Sequence, residues 1–285
     1  MNTRQLYEYL RDGPVRKLCF PLDRRNFGPD VPDGGWQNLC ITAKLAEPII
    51  DYGDPIAIDG ILAYAAWRII RHVPPSMGRY HLPPEAAPWV ADFRLPLRKT
   101  MVEPDLPSWC NRRLLTPTGE LWWWSASMAI IEPVRQSKHE IRKRPDTGRM
   151  ARLTKSPSIN IGAGAVKAYD LAFPTVLVDQ ITWYVVGQLD AIRFMLADVT
   201  HIGKKRHHGL GRVLSWSVDP HHEDRTLIDA DGNAARHLPA CLVGEEGESL
   251  GLRPPYWHPS RRVPVWRAGY PMRVVPPSCP GARSI

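Results

Sequence analysis

ITWYVVGQLDAIRFMLADVTHIGKKRHHGLGRVLSWSV, Ile181 to Val218, sets out a strand, a helix, a loop and a strand in immediate succession. Ile181 to Val186, apolar or aromatic apart from Thr182, has strand length and reads as a buried strand. After Gly187, the positions Leu189, Ile192, Leu196 and Val199 return at helical spacing. A glycine-containing loop from Ile202 to Gly211 follows. Beyond it Leu214, Trp216 and Val218 alternate with polar residues, which predicts a last strand with those three on one face.

The same order of elements appears upstream. Leu39 to Ala46 alternates Leu39, Ile41, Ala43 and Leu45 with Cys40, Thr42 and Lys44, the period of a half-buried strand. Asp59 reads as an N-cap, and Ile58, Ile61, Leu62, Ala65, Ala66, Ile69, Ile70 and Val73 follow at amphipathic helical spacing until Pro74-Pro75 ends the run. Leu121 to Ile131 predicts a strand with Trp122, Trp124 and Ala126 on one face and Trp123, Ser125 and Ser127 on the other. Together the elements give βαββαβ, an α+β class that packs two helices on one face of an antiparallel sheet.

This core is expected over 37–219, with a basic insertion near 132–160. Residues 1–36 form an N-terminal extension with a short helix around Thr3 to Arg11, and 220–285 a proline-rich, irregular C-terminal extension. The chain has 29 prolines in 285 residues, about twice the usual ~5%. Long irregular segments follow from that count.

Its 44% hydrophobic content supplies a sizeable core and excludes general disorder. A net charge of +8 favours a polyanionic partner, because clustered cations release condensed counterions from phosphates. Cys19, Cys40, Cys110, Cys241 and Cys279 are odd in number and never spaced as CxxC, which argues against a disulfide framework or zinc knuckle. No stretch approaches the roughly 20 apolar residues of a membrane span. The expectation is a cytoplasmic protein with no membrane partner and no cofactor.

The chemistry concentrates at IGKKRHHGLGRV, Ile202 to Val213. Gly203, Gly209 and Gly211 permit positive φ and close backbone approach, while Lys204, Lys205, Arg206 and Arg212 surround them without a neighbouring acid. A dinucleotide fingerprint would have to follow a strand and open a helix; here the order is reversed and the third glycine is missing. The spacing also excludes a Walker loop. A phosphodiester chain is the ligand that fits.

A second cationic run, Arg135, Lys138, Arg142, Lys143, Arg144, Arg149, Arg152 and Lys155, is opposed only by Glu140 and Asp146. Pro145 to Gly148 predicts a turn between two arms. Trp122, Trp123 and Trp124 suit core packing better than base stacking. His201, His207 and His208 beside the loop raise a metal-independent endoribonuclease as the alternative to a non-catalytic role. His221 and His222, adjacent in sequence, do not converge on one metal ion, and Ala240 stands where a calcium loop beginning at Asp229 needs a glutamate.

A glycine-rich loop of this form, placed between the second helix and the last strand of a βαββαβ unit, resembles the signature of the RAMP superfamily of CRISPR-associated proteins. ITAKLAEPIIDYGDPIAIDGILAYAAWR, Ile41 to Arg68, is similar to the first strand and helix of the Cas-five-group subunit of type IV effector complexes. The resemblance runs over about 39–219. It implies a ferredoxin-like (RRM-like) core, a basic thumb hairpin at Val134 to Lys155, and a non-catalytic subunit that caps the 5′ handle of a guide RNA (crRNA).

RNA contacts are then expected from Gly203, Lys204, Lys205, Arg206, His207, His208, Gly209, Gly211 and Arg212 of the loop and from the cations of the basic run. The implied protein partners are a backbone-forming Cas-seven-like subunit and a large-subunit-like protein, with target DNA beyond them.

Overall fold

The computed structural model describes residues 35–53, 55–71, 95–102, 121–152, 161–162, 167–240 and 247–272. The expected helix at Thr3 to Arg11, Val73 and the cation Lys155 lie outside them.

The central sheet orders its strands β5 (Ile130–Ile131), β8 (Gln180–Gly187), β1 (Gln37–Leu45) and β9 (Val213–Pro220), each antiparallel to its neighbour. Alternation decides which face is buried. Leu39, Ile41 and Ala43 of β1 meet Ile181, Trp183 and Val185 of β8 and Val218 of β9 in one core, and Cys40, Thr42 and Tyr184 face the other way. Helices α1 (Ile58–Arg71) and α3 (Leu189–Leu196) cover that apolar face. They contribute Ile58, Leu62, Ala65 and Ala66 from α1, and Ala191, Ile192, Met195 and Leu196 from α3. Gly187 lets β8 turn directly into α3, since a Cβ there would lie 2.6 Å from Ile192 and 2.7 Å from the Pro96 carbonyl.

Two expectations about strands are corrected. Leu214 does not share the buried face with Trp216 and Val218: a bulge between Lys44 and Leu45 pairs Leu45 with Val213, and Leu214 is 63% exposed. Leu121 to Ile131 is not one strand. β4 (Leu121–Trp124) pairs with β3 (Lys99–Val102), after which the chain bends through Ala126 and Met128 into β5. All three tryptophans of β4 are buried, with Trp122 and Trp124 in the main core and Trp123 in a second one.

Asp59 lies inside the first turn of α1 instead of capping it, and it is buried. Its two carboxylate oxygens accept the Tyr256 hydroxyl at 2.8 and 2.7 Å, and Oδ1 also accepts the Gly60 amide at 2.9 Å. Burial pushes the Asp59 carboxyl above its ordinary range, and the nearby Arg236 guanidinium opposes that shift. Burial and the Asp59 carboxyl hold the Tyr256 hydroxyl well above its ordinary value, so it remains a donor.

The described residues after 219 form a sheet, where proline content predicts irregular backbone. β10 (Leu238–Pro239), β12 (Arg262–Trp266) and β11 (Glu248–Gly251) form a three-stranded sheet over Leu121, Trp123, Ala234, Leu238, Leu252, Val263 and Val265. Arg236 is fully buried and donates to the carbonyls of Trp124, Ala126 (2.8 Å) and Leu252 (2.8 Å). One guanidinium thus binds the bent β4–β5 connection to the tail. No helix among the described residues is long and apolar enough to cross a membrane.

Candidate functional site

The glycine-rich loop is clamped at its base and open at its tip. The Ile202 amide donates to Gly211 O at 2.9 Å, the Gly211 amide to Pro48 O at 2.9 Å, and the Val213 amide to Thr200 O at 2.8 Å. Ile202 and Leu210 are buried, whereas Gly203, Lys204 and residues 206–209 are exposed. Between them Lys205 takes φ 57°, Arg206–His208 form one 3-10 turn, and Gly209 closes it at φ 85°. Gly211 has φ 67° and sits directly against the Ile202 carbonyl, so only glycine fits the clamp.

Each basic side chain at the tip rests on an aromatic ring. Lys204 Nζ lies 4.8 Å from the Tyr52 centroid, Lys205 Nζ 5.1 Å from Phe173, and the Arg206 guanidinium 4.4 Å from Tyr64. Among the described residues, Lys205, Arg206 and Arg212 make no ion pair with a carboxylate. A ring face attracts a cation without neutralising it, so the positive charge is fixed in place and remains available to an anion.

Those rings come from three different elements, which places the loop at a junction. Tyr64 belongs to α1, and Tyr52 follows β2 (Ile49–Ile50). Phe173 belongs to β7 (Tyr169–Leu177). Leu210 packs with Ile50, Ile141 and Phe173 in a small separate cluster, so the loop is seated on one face of a hairpin.

That hairpin carries the second cationic run. β6 (Arg135–Lys143) pairs with β7 along its whole length, from Arg135 opposite Leu177 to Lys143 opposite Tyr169, and β2 pairs with the far edge of β7. The returning arm is therefore 169–177. Pro145 to Gly148 is not the turn between the arms: Asp146 caps the short helix α2 (Thr147–Ala151) by accepting the Arg149 amide at 2.9 Å.

Strand alternation splits the cations of β6. Arg135 and Lys143 share the face of Ile141 and Phe173, toward the loop, while Lys138 and Arg142 occupy the opposite face. Arg142 is also partly neutralised, by Glu140 at 2.6 Å and by Asp170 at 3.0 Å across the hairpin. Lys143 Nζ lies 6.0 Å from the Tyr169 ring. Arg144, Arg149 and Arg152 are exposed near α2.

The histidines sit at the rim. The His207 and His208 rings are 4.1 Å apart and both residues are exposed, and His201 Nδ1 is 3.0 Å from Thr200 Oγ1. Among the described residues, no group of three or more His, Cys, Asp or Glu is arranged to hold a metal ion.

Sequence reading found the glycines and cations because they are contiguous. It missed Tyr52, Tyr64 and Phe173, whose contribution depends on tertiary approach. One local signal was present for Tyr64: Gly60, Ile61, Tyr64 and Arg68 form a stripe beside the buried one, and Arg68 reaches Asp198 O at 3.0 Å at the end of α3.

Residues 136–267 match the family model described as CRISPR type IV associated protein Csf3. The match begins within β6, takes in the hairpin, the clamped loop and β9, and continues through the tail sheet to the end of β12. It supports a type IV CRISPR-associated protein, and it extends well past 219. No curated protein matches the chain.

Proposed function

We propose that this type IV CRISPR-associated chain is a non-catalytic, RNA-binding subunit of an effector complex, holding the 5′ handle of the guide RNA on the clamped loop and the neighbouring hairpin. The observation that carries the reading is the junction itself. A loop of glycines and cations is locked at its base, Lys205 and Arg206 rest on rings and make no ion pair with a carboxylate among the described residues, and a basic hairpin is packed against it. Such a surface suits a sugar-phosphate chain, which supplies one anion per nucleotide to cations already held in position. The strand order β5-β8-β1-β9 and the placement of both helices on one face support a ferredoxin-like core of the RAMP kind beneath it.

In this reading the loop holds successive phosphates through Lys204, Lys205 and Arg212 and through exposed backbone amides. Arg135 and Lys143 of the hairpin continue the track, and the fixed handle seats the chain beside a backbone-forming Cas-seven-like subunit and a large-subunit-like protein that act on target DNA. The work done is positioning, and no bond is broken.

The test is a salt titration of binding between the full chain and a fluorescein-labelled 12-nucleotide single-stranded RNA, read by anisotropy. Lys205→Ala and Arg212→Ala are each expected to weaken binding and to make the slope of log affinity against log salt shallower by about 0.7. Unchanged affinity and slope in both would remove the loop from the interface. Site-specific cleavage of precursor repeat RNA in EDTA, lost in a His207→Ala, His208→Ala double variant, would replace the non-catalytic reading with the endoribonuclease one.

A further inference from the structure

Beside the loop lies a cavity of about 240 Å³ with no hairpin residue in its lining. Its lining includes Gly60, Ile61 and Tyr64 of α1, His201 and Arg206 of the loop region, and Tyr256 of the tail. Most of that lining is apolar, although the mouth opens next to a cationic loop. The cavity falls below the ~300–1,000 Å³ of pockets for drug-sized ligands, and its size suits a single planar ring system.

Two walls are fixed in ways that favour such a ring. The Arg206 guanidinium lies 4.4 Å from the centroid of Tyr64, so an aromatic face and a delocalised planar cation stand together at one side. Both are surfaces on which nucleobases stack. Tyr256, also in the lining, spends its hydroxyl on the Asp59 carboxylate at 2.7 and 2.8 Å, which anchors it and leaves its ring as an apolar wall. Gly60 contributes no side chain, and a Cβ there would lie 3.9 Å from the Tyr256 ring, so even a methyl group would narrow this side. His201, at the rim, offers a ring nitrogen able to donate or accept at a base edge.

We infer that this cavity receives one nucleobase, splayed out of the RNA strand whose phosphates the adjoining loop holds. The inference rests on the loop reading above and adds to it. Phosphate contacts carry no sequence information, and a base seated in a cavity lined by Tyr64, Arg206 and Tyr256 would fix the register of the strand and give the handle a preferred nucleotide. Arg206 then acts mainly as a stacking surface, while Lys204, Lys205 and Arg212 take the phosphates.

The experiment uses the full chain and three fluorescein-labelled 12-mers: oligo(rA), oligo(rU), and an abasic ribose-phosphate strand carrying the same charges. The better of the two base-bearing strands is expected to bind roughly tenfold more tightly than the abasic one. Gly60→Leu, which extends a side chain toward the Tyr256 ring, and Ile61→Trp, which fills the cavity, are each expected to bring that ratio close to one while leaving affinity for the abasic strand within about twofold. Melting curves identify any variant that fails to fold, and the other then carries the test.

A wild-type ratio near one, or a ratio unchanged in folded variants, would overturn the pocket. If the abasic strand still binds with a steep salt dependence in that case, the phosphate grip stands alone. If none of the three strands binds, the grip and the pocket fall together.

Discussion

Gly211 in the loop and His237 in the tail show how much can depend on single residues. Gly211 combines φ 67° with direct contact against the Ile202 carbonyl, so Gly211→Ala adds left-handed strain to a steric clash. The expected cost is about 1–3 kcal/mol, with weakened RNA binding, measured by thermal melting and anisotropy together. His237 is buried beside Arg236, and its pKa is lowered from 6.5 to about 4, first by burial and then by the Arg236 and Arg267 charges. Its Nδ1 accepts the Ala268 amide at 3.2 Å, a bond that protonation abolishes. Because the unfolded chain binds that proton first, stability from this residue is complete above pH 6.5 and is lost as pH falls toward 4. Denaturant melts between those values should show a decline of roughly 2–3 kcal/mol that His237→Gln flattens. At this scale the loop was readable in sequence, since contiguous glycines and cations announce themselves. Asp59 was misread, because its partner Tyr256 is nearly two hundred residues away and no local pattern distinguishes a cap from a buried acceptor.

Strands and helices were legible where one face is apolar and the other polar, as in β1, α1 and α3. They were not where tertiary contact overrides the pattern. The bulge that turns Leu214 outward depends on how β9 pairs with β1, and the bend after Trp124 depends on Arg236 taking two carbonyls from the same stretch. The hairpin illustrates the same limit: the cations of β6 were visible, but the returning arm is set by register with β7, more than twenty residues downstream. Leu210 joins hairpin and loop through apolar contact, beside the Lys205–Phe173 pair. Leu210→Ala should cost about 2–4 kcal/mol and speed amide exchange along 135–143, because the cluster of Ile50, Ile141 and Phe173 loses its cover. Exchange unchanged in that strand would mean that the two elements are held together by something else.

Across the whole molecule, the tail determines how much of the chain behaves as one unit. Arg236, Tyr256 and the second core tie the described residues beyond 219 to β4 and α1, so Arg236→Ala should destabilise by about 3–5 kcal/mol and lower the single melting transition of the full chain. A separate early transition with the main one unmoved would make the tail an independent module. Proline content concealed this: prolines mark irregular connections, but they do not reveal that short strands between them share a core with Trp123. The cationic loop therefore stands at a junction of core, hairpin and tail, and holding an RNA backbone there is the central claim. Its most direct measurement is photo-crosslinking of the full chain to a single-stranded RNA substituted with 4-thiouridine, with adducts mapped by mass spectrometry. Adducts are expected to concentrate in 203–212 and in the loop-facing side of 135–143; adducts confined to other surfaces, with both segments unlabelled, would rule out an RNA backbone at this junction.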